Sequence, residues 1–374
     1  MKILKVIATG FKNCIDNFEI SYIPVARKTA EDKEYELEEI ADGLFAFSTI
    51  GIVGKNASGK TTVLDLLSVC YDIMGTFRVA PRKYSLNGVN LTIFFYHEGN
   101  IYKYQTKLKE EGISEKTLFT NESIRYKKYY KTNVNSIFDD EGFDAYKLEG
   151  ELPEDTSSVF FVVKKLNRTA FYYTSHDFGS EIYRAAFMAQ KTFNIPEKIM
   201  TDIISIFDES VSKLEMIDET NFKLTSFGKT ETLSDKELYS RLSSGTTKGL
   251  LLYTLVVLSL MNGEDLVIDE IENHFHKTLV ENIISLYKDK SINKKNATLI
   301  FATHYCEILD LFNRQDNIYI TKAEKQVGIS NMYKDYDVRP ELLKSKQFYN
   351  NVFKTAVNYD ALMALKKELK NRNY

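Results

Sequence analysis

The residue best placed by its neighbours to do chemistry is Lys60. Gly54-Lys55-Asn56-Ala57-Ser58-Gly59-Lys60-Thr61 fits the pattern GxxxxGK[ST] at every fixed position. Glycines let the backbone curl so that successive N–H groups point inward at an anion, and the dipole of a following helix adds to the field. Gly54, Asn56, Ser58, Gly59, Lys60, Thr61 and Thr62 are therefore candidate contacts to a nucleoside triphosphate such as ATP. Lys60 would reach the β- and γ-phosphates, and the Thr61 hydroxyl would hold Mg²⁺. Two carboxylates supply the complementary chemistry. The apolar run Asp265-Leu266-Val267-Ile268 ends in Asp269 and Glu270, the shape of a Walker B site. Asp269 would complete the Mg²⁺ shell, and Glu270 could polarise the attacking water as general base. Ala302-Thr303-His304 closes the next apolar run. His304 could hydrogen-bond a γ-phosphate and register its loss; a lone histidine capping a strand is the plainer alternative.

Those side chains need a strand before the loop and a helix after it. Phe47 to Val53 is apolar and β-branched, and Thr61 to Leu67 opens a helix expected to run to about Met74. Upstream, Ile3 to Ala8 and Asn17 to Ile23 read as strands around the turn-like stretch Gly10 to Cys14. Residues 25–43, with Glu31-Asp32-Lys33-Glu34-Tyr35-Glu36-Leu37-Glu38-Glu39, read as an exposed excursion. Val89 to Tyr96 and Ile101 to Leu108 flank His97-Glu98-Gly99-Asn100 as a hairpin. Short β-like runs, Val159 to Val163 among them, continue to about Leu166. Residues 180–216 carry apolar side chains at helical spacing on either side of Pro196, and Thr220 to Leu233 returns to strands. After Leu242 an α/β rhythm resumes. Leu250 to Met261 suits a buried helix, Asp265 to Ile268 a parallel strand and His276 to Lys288 a helix. Ala297 to Ala302 reads as a buried strand and Ile318 to Thr321 as an edge strand. The expected class is α/β, with a mixed, largely parallel sheet and flanking helices. A nucleotide core of residues 1–95 and 235–374 would be interrupted by a lobe, 96–234, that is β-rich over 96–166 and helical over 180–216.

Composition bounds the rest. At 374 residues the chain is long enough for a core plus a lobe, and 44% hydrophobic content with 24 Phe and 24 Tyr fills an interior. A net charge of −3 gives no whole-chain sign of nucleic-acid or membrane binding. Cys14, Cys70 and Cys306 are scattered and lack metal spacing, which fits a reducing cytosol. The apolar run at the start is too short for a signal peptide. Leu250 to Met261, the longest apolar stretch, has 12 residues against the roughly 20 that span a bilayer. A cytoplasmic protein without a membrane segment is expected.

Arg241-Leu242-Ser243-Ser244-Gly245-Thr246 stands just before a helix and about twenty residues before the paired carboxylates. It resembles the Leu-Ser-Gly-Gly-Gln signature loop of ABC-type ATPases, with Ser244 and Thr246 replacing Gly and Gln; an ordinary Ser/Thr helix cap is the alternative. His274 and His276 follow Glu270 in one short loop and, without a third ligand at metal spacing, read as hydrogen-bonding residues. Asn56 and Ser58, the signature-like loop, Asp269-Glu270-Ile271-Glu272-Asn273 and Thr303-His304 together resemble the ABC-type ATPases of the OLD/SMC branch. Closer still are the compact OLD-like "AAA family ATPases" of bacterial abortive-infection and anti-phage operons. His276 matches that group's Asp-Glu-Ile-Glu-x-x-x-His-Pro pattern, Lys277 replaces its proline, and Phe11-Lys12 resembles its Asn-Phe-Lys opening. Gln105 is a weak candidate for the group's Q-loop. The resemblance implies that Ser243, Ser244 and Gly245 of one subunit meet the γ-phosphate held by another, so an ATP-dependent homodimer is expected. The 70 residues after His304 show no Glu plus Asp-x-Asp cluster of a nuclease domain. The resemblance therefore implies a separate effector encoded in the same operon.

Nucleic acid stays open as a partner. Arg125-Tyr126-Lys127-Lys128-Tyr129-Tyr130-Lys131 interleaves cations with aromatics, and Lys164-Lys165-Leu166-Asn167-Arg168 is a second basic stretch. Strand alternation would divide the first run's charges between two faces, as on a solvated strand. A DNA-repair or chromosome-handling ATPase is the alternative function. A transporter subunit is disfavoured by Asp269-Glu270-Ile271 in place of Asp-Glu-Pro, and a small GTPase by the lack of a guanine-reading Asp.

Overall fold

Thr49–Val53, Asp265–Ile268 and Leu299–Thr303 are buried at every residue in the computed structural model, the pattern of parallel strands covered on both faces. The structure describes residues 1–111, 116–165, 169–174, 179–273, 275–339, 342–353 and 359–371. The chain packs as two compact units, Met1–Leu166 with Ala302–Tyr374, and Asn167–Phe301.

In the first unit, strands Phe18–Ser21, Lys2–Thr9, Asn90–His97, Asn100–Glu111, Lys116–Lys128 and Asp144–Ala145 form an antiparallel sheet in that spatial order. Val6 stands opposite Ile93, and Ile93 opposite Tyr104. Leu4, Ala46, Phe94, Ile101, Tyr129 and Ile137 share one buried cluster. The β-rich stretch expected to begin a separate lobe at residue 96 is thus continuous with the N-terminal strands. The division by packing falls at 166/167 and 301/302. Thr49–Val53 runs parallel to Ile318–Ala323, which pairs antiparallel with Val327–Asn331 on its other side. Ile318–Ala323 is therefore an interior strand, not the edge its short apolar run suggested. Val159 to Val163 is also corrected, from strand to a helical turn, Phe160–Val163, started by carbonyls of Ser157, Ser158 and Val159.

The acidic excursion is not wholly exposed. It forms the helix Ala30–Tyr35, capped by Thr29, and the strand Leu37–Ala41. Asp32, Glu36 and Glu38 are buried, and for Asp32 and Glu36 the reason is a partner far along the chain. Arg314 is buried between Asp32 (2.7 Å) and Asp316 (2.6 Å) and also donates to the carbonyls of Ala26 and Arg27. Asp316 accepts from the N–H groups of Val25 and Ala26, and Glu36 from those of Asn313 and Arg314.

In the second unit, Ala170–Tyr173 pairs in parallel with Asp265–Ile268, which pairs in the same way with Leu299, Ile300 and Phe301, the part of strand Leu299–Thr303 that lies in this unit. Helices Glu181–Phe193 and Glu197–Phe207 fill most of the stretch expected to be helical. Its last residues form a strand, Val211–Met216, because Asp208 turns the chain by accepting from Ser210 N–H and Oγ. That strand begins a three-stranded antiparallel sheet with Asn221–Ser226 and Lys229–Ser234. Ser234 and Glu237 cap the helix Asp235–Arg241 reciprocally. Helix Ser244–Asn262 has 19 residues and holds an 18-residue stretch of mean hydropathy 1.3, enough by length and composition to cross a bilayer, but 61% of that stretch is buried inside the protein.

Removing the guanidinium would leave Asp32 and Asp316 as uncompensated buried charges. Arg314→Ala is expected to lower unfolding stability by about 3–5 kcal/mol in urea titration. A loss below about 1 kcal/mol, the scale of exposed pairs, would contradict this account of the excursion.

Candidate functional site

The sequence-derived site residues divide between the two units, and each set is described within its own. The first unit holds Gly54, Asn56, Ser58, Gly59, Lys60, Thr61, Thr62 and His304; the second holds Ser243, Ser244, Gly245, Asp269 and Glu270.

Gly54 and Gly59 are required by contact as well as by torsion. A Cβ on Gly54 would lie 2.3 Å from Ser58 Oγ and 2.5 Å from Thr321 Oγ1. At Gly59 (φ +100°) it would lie 2.3 Å from Val327, in a backbone region that L-residues rarely adopt. Gly59 is the N-cap of helix Lys60–Gly75 and supplies no side-chain cap. Ala57 also has positive φ, and Ser58 N–H closes the loop onto Lys55 C=O at 3.2 Å. Ser58 and Thr321 are fully buried with their hydroxyls 2.6 Å apart, which fixes the loop to the neighbouring strand. Asn56 and Thr61 are exposed and Thr62 half-buried.

The Lys60 ammonium donates to Gly54 C=O (2.9 Å) and Lys55 C=O (3.2 Å) and lies 2.9 Å from His304 Nδ1. An ammonium has no acceptor, so Nδ1 accepts and the imidazole proton sits on Nε2. Lys60 and His304 are thus brought together directly. Lys12 pairs with Asp65 on the P-loop helix, with its Nζ 3.8 Å above the Tyr84 ring. Gln105 stays inside the antiparallel sheet, 3.4 Å from Thr92 Oγ1.

In the second unit Ser243 is the N-cap of helix Ser244–Asn262. Its Oγ accepts from Thr246 N–H (3.0 Å) and lies 2.8 Å from Thr246 Oγ1. The cap is real, yet Ser243 and Ser244 remain exposed. The helix's polar first turn is therefore presented at the surface, where its dipole favours an anion. Gly249 abuts Phe207, whose ring packs against Tyr253 and Phe275 at 5.4 and 6.1 Å. One aromatic thus joins the serine-loop helix to the segment after the carboxylates.

Asp269 follows the buried strand Asp265–Ile268 and donates its N–H to Tyr173 C=O at 3.0 Å. Glu270 has left-handed backbone, φ +52°. Asn273 N–H donates to Glu270 C=O (2.9 Å), and Asn273 Nδ2 to Glu270 Oε2 (3.1 Å). His276 caps helix Lys277–Lys288 through Thr278 N–H; His274 lies outside the described residues. Among the described residues no group of three or more His, Cys, Asp or Glu could hold a metal. Thr61 in the first unit and Asp269 in the second each offer an oxygen of the kind Mg²⁺ takes, alongside the waters it keeps.

The first basic stretch is largely engaged. Arg125 pairs with Asp140 (2.8 Å) and Lys131 with Asp42 (2.8 Å), while Lys127 Nζ donates to carbonyls of Ser136 (2.7 Å) and Asp139 (2.9 Å). Of the second, Lys164 lies 3.7 Å from Glu149, and residues 166–168 are outside the described set.

Sequence reasoning missed Thr321, Val327, Phe207 and Arg314, which carry no motif. Asn273 lay within the quoted Asp-Glu-Ile-Glu-Asn stretch but was given no role.

A buried strand, a glycine loop without room for side chains and a lysine opening the next helix define a P-loop nucleotide-binding protein of the mixed α/β class. The chain belongs to the family described as "AAA domain, putative AbiEii toxin, Type IV TA system", whose model matches residues 50–310. No curated protein matches it. Among solved structures it is similar to an SmcHead bound to the C-winged helix domain of ScpA, with 10% identity, 88% of this chain and 97% of that chain covered, and a TM-score of 0.46. It is also similar to cbiO1 from Clostridium perfringens, part of the ABC transporter complex cbiONQ, with 14% identity, the same coverages and a TM-score of 0.32.

Alanine for glycine inside a helix ordinarily stabilises by about 1 kcal/mol. At Gly249 the new Cβ would fall 2.2 Å from the Phe207 ring, and overpacking costs about 1–3 kcal/mol. Gly249→Ala is therefore expected to lower the melting temperature, and adding Phe207→Leu to recover part of the loss. A raised melting temperature in the single variant would show that Phe207 is not seated there.

Proposed function

We propose that this protein binds ATP with Mg²⁺, closes on a second copy of itself and hydrolyses the γ-phosphate. The cycle controls a separate effector, a nuclease or toxin from the same operon, in cytoplasmic anti-phage defence. The observation that carries the reading is the P-loop, in which Gly54 and Gly59 leave no room for a Cβ and Lys60 is held at the head of the following helix.

In this reading, loop N–H groups and Lys60 bind the β- and γ-phosphates, and Thr61 and Asp269 supply the protein ligands of Mg²⁺. When bound, Mg²⁺ neutralises charge that builds on the phosphate oxygens. Glu270 takes the proton of the attacking water, and His304 follows the γ-phosphate through the imidazole that touches Lys60. Ser243, Ser244 and Gly245 act on the γ-phosphate held by the other copy. The support for that last role is exposure: a serine-capped helix of 19 residues opens at the surface instead of being sealed inside its own unit. The family's description as a putative toxin of a toxin–antitoxin system puts the chain's own family in a two-component setting and says nothing of a separate effector; the effector rests on the resemblance alone. Direct action on DNA has less support, since the charges of Arg125, Lys127 and Lys131 are engaged within the chain.

Glu270→Gln keeps the shape and removes the base. Turnover is expected to fall by about 10²-fold or more, while ATP still produces dimers on gel filtration. Undiminished turnover would remove Glu270 from the chemistry, and a monomer with bound ATP would remove the shared site.

A further inference from the structure

Glu270 is held by more than its own strand. Its backbone is left-handed (φ +52°), a region sparsely populated by residues other than glycine and characteristic of functional sites. Such a conformation persists only where neighbours enforce it, and the structure shows one that does so at both ends of the residue. The Asn273 N–H closes a turn onto the Glu270 carbonyl at 2.9 Å, and Asn273 Nδ2 donates to Glu270 Oε2 at 3.1 Å. Ile271 and Phe275, on either side of Asn273 in sequence, are both buried.

We propose that Asn273 is a positioning residue for hydrolysis: its amide holds one oxygen of the Glu270 carboxylate and thereby aims the other at the attacking water. The proposal rests on the reading of Glu270 as general base. An amide suits this task because it donates without taking the proton the base must collect. A lysine would bind the carboxylate more strongly but lower its basicity, and an aspartate would occupy the same volume without a donor. The bond acts on the orientation of the base, not on the phosphates, so its loss should appear in kcat and leave nucleotide affinity in place.

The test measures steady-state ATP hydrolysis and equilibrium binding of a fluorescent ATP analogue for wild type, Glu270→Gln, Asn273→Ala, Asn273→Asp and Asn273→Gln. Asn273→Ala is expected to lower kcat by about ten- to a hundredfold, the scale of a misaimed catalytic group, with KM and analogue affinity within about twofold of wild type. Asn273→Asp, which preserves shape but not the donor, should be as impaired as Asn273→Ala. Asn273→Gln, which keeps an amide within reach, should recover part of the rate. If Asn273→Asp retains wild-type kcat, the side chain only fills space and the positioning role is overturned. A wild-type kcat in Asn273→Ala with an inactive Glu270→Gln also overturns it, while leaving the general base intact. An active Glu270→Gln overturns both.

Discussion

A phosphate chain can approach a backbone closely only where no side chain stands in the way, and the rest of this structure depends on that condition being met at Gly54 and Gly59. Each glycine is backed by atoms that would collide with a Cβ: Ser58 and Thr321 behind one, Val327 behind the other. Thr321 and Val327 sit on the strands Ile318–Ala323 and Val327–Asn331, so the shape of an eight-residue loop near the start is set by chain from the C-terminal part. The buried strand Thr49–Val53 delivers the loop, the parallel strand Ile318–Ala323 supports it, and helix Lys60–Gly75 begins at the lysine. Strand, loop and helix thus meet around two positions that have no room for a side chain.

The candidate site residues are divided along the chain. The first unit carries the cation and the imidazole in contact with it; the second carries the carboxylates and an exposed serine cap. Within the second unit Phe207 packs in the space left by Gly249 and reaches Phe275 beyond Glu270. A displacement of the serine-loop helix would therefore be felt in the segment that follows Glu270. That linkage gives the proposed meeting of two copies a physical route to the chemistry, through packed rings that cannot deform continuously.

Much of this was legible from sequence because the decisive signals are local. A P-loop needs glycine at particular steps, and the buried strands read as unbroken apolar runs, so both could be recognised without knowing the fold. The acidic excursion was misread because what buries it is remote: Asp32 and Arg314 are 282 positions apart, and a run of carboxylates looks solvated until its cation is found. Val159 to Val163 was misread because five β-branched and aromatic residues do not separate a helical turn from a strand. Ile318 to Thr321 could not be assigned a second neighbour because pairing is not written in a short apolar run. Asn273 escaped for the opposite reason: its bond is local, but it follows from the left-handed turn at Glu270, which no residue type announces.

The claim on which the account stands is that one chain's Ser243 completes the pocket begun by another chain's Lys60. Mixing equal amounts of two inactive variants, Lys60→Ala and Ser243→Ala, tests it directly by ATP hydrolysis. If pockets are shared, mixed dimers contain one pocket with both native residues, and random pairing returns about a quarter of the wild-type rate. If each chain builds its pocket alone, every pocket in the mixture lacks one of the two residues. The mixture would then stay as inactive as its components, contradicting the account.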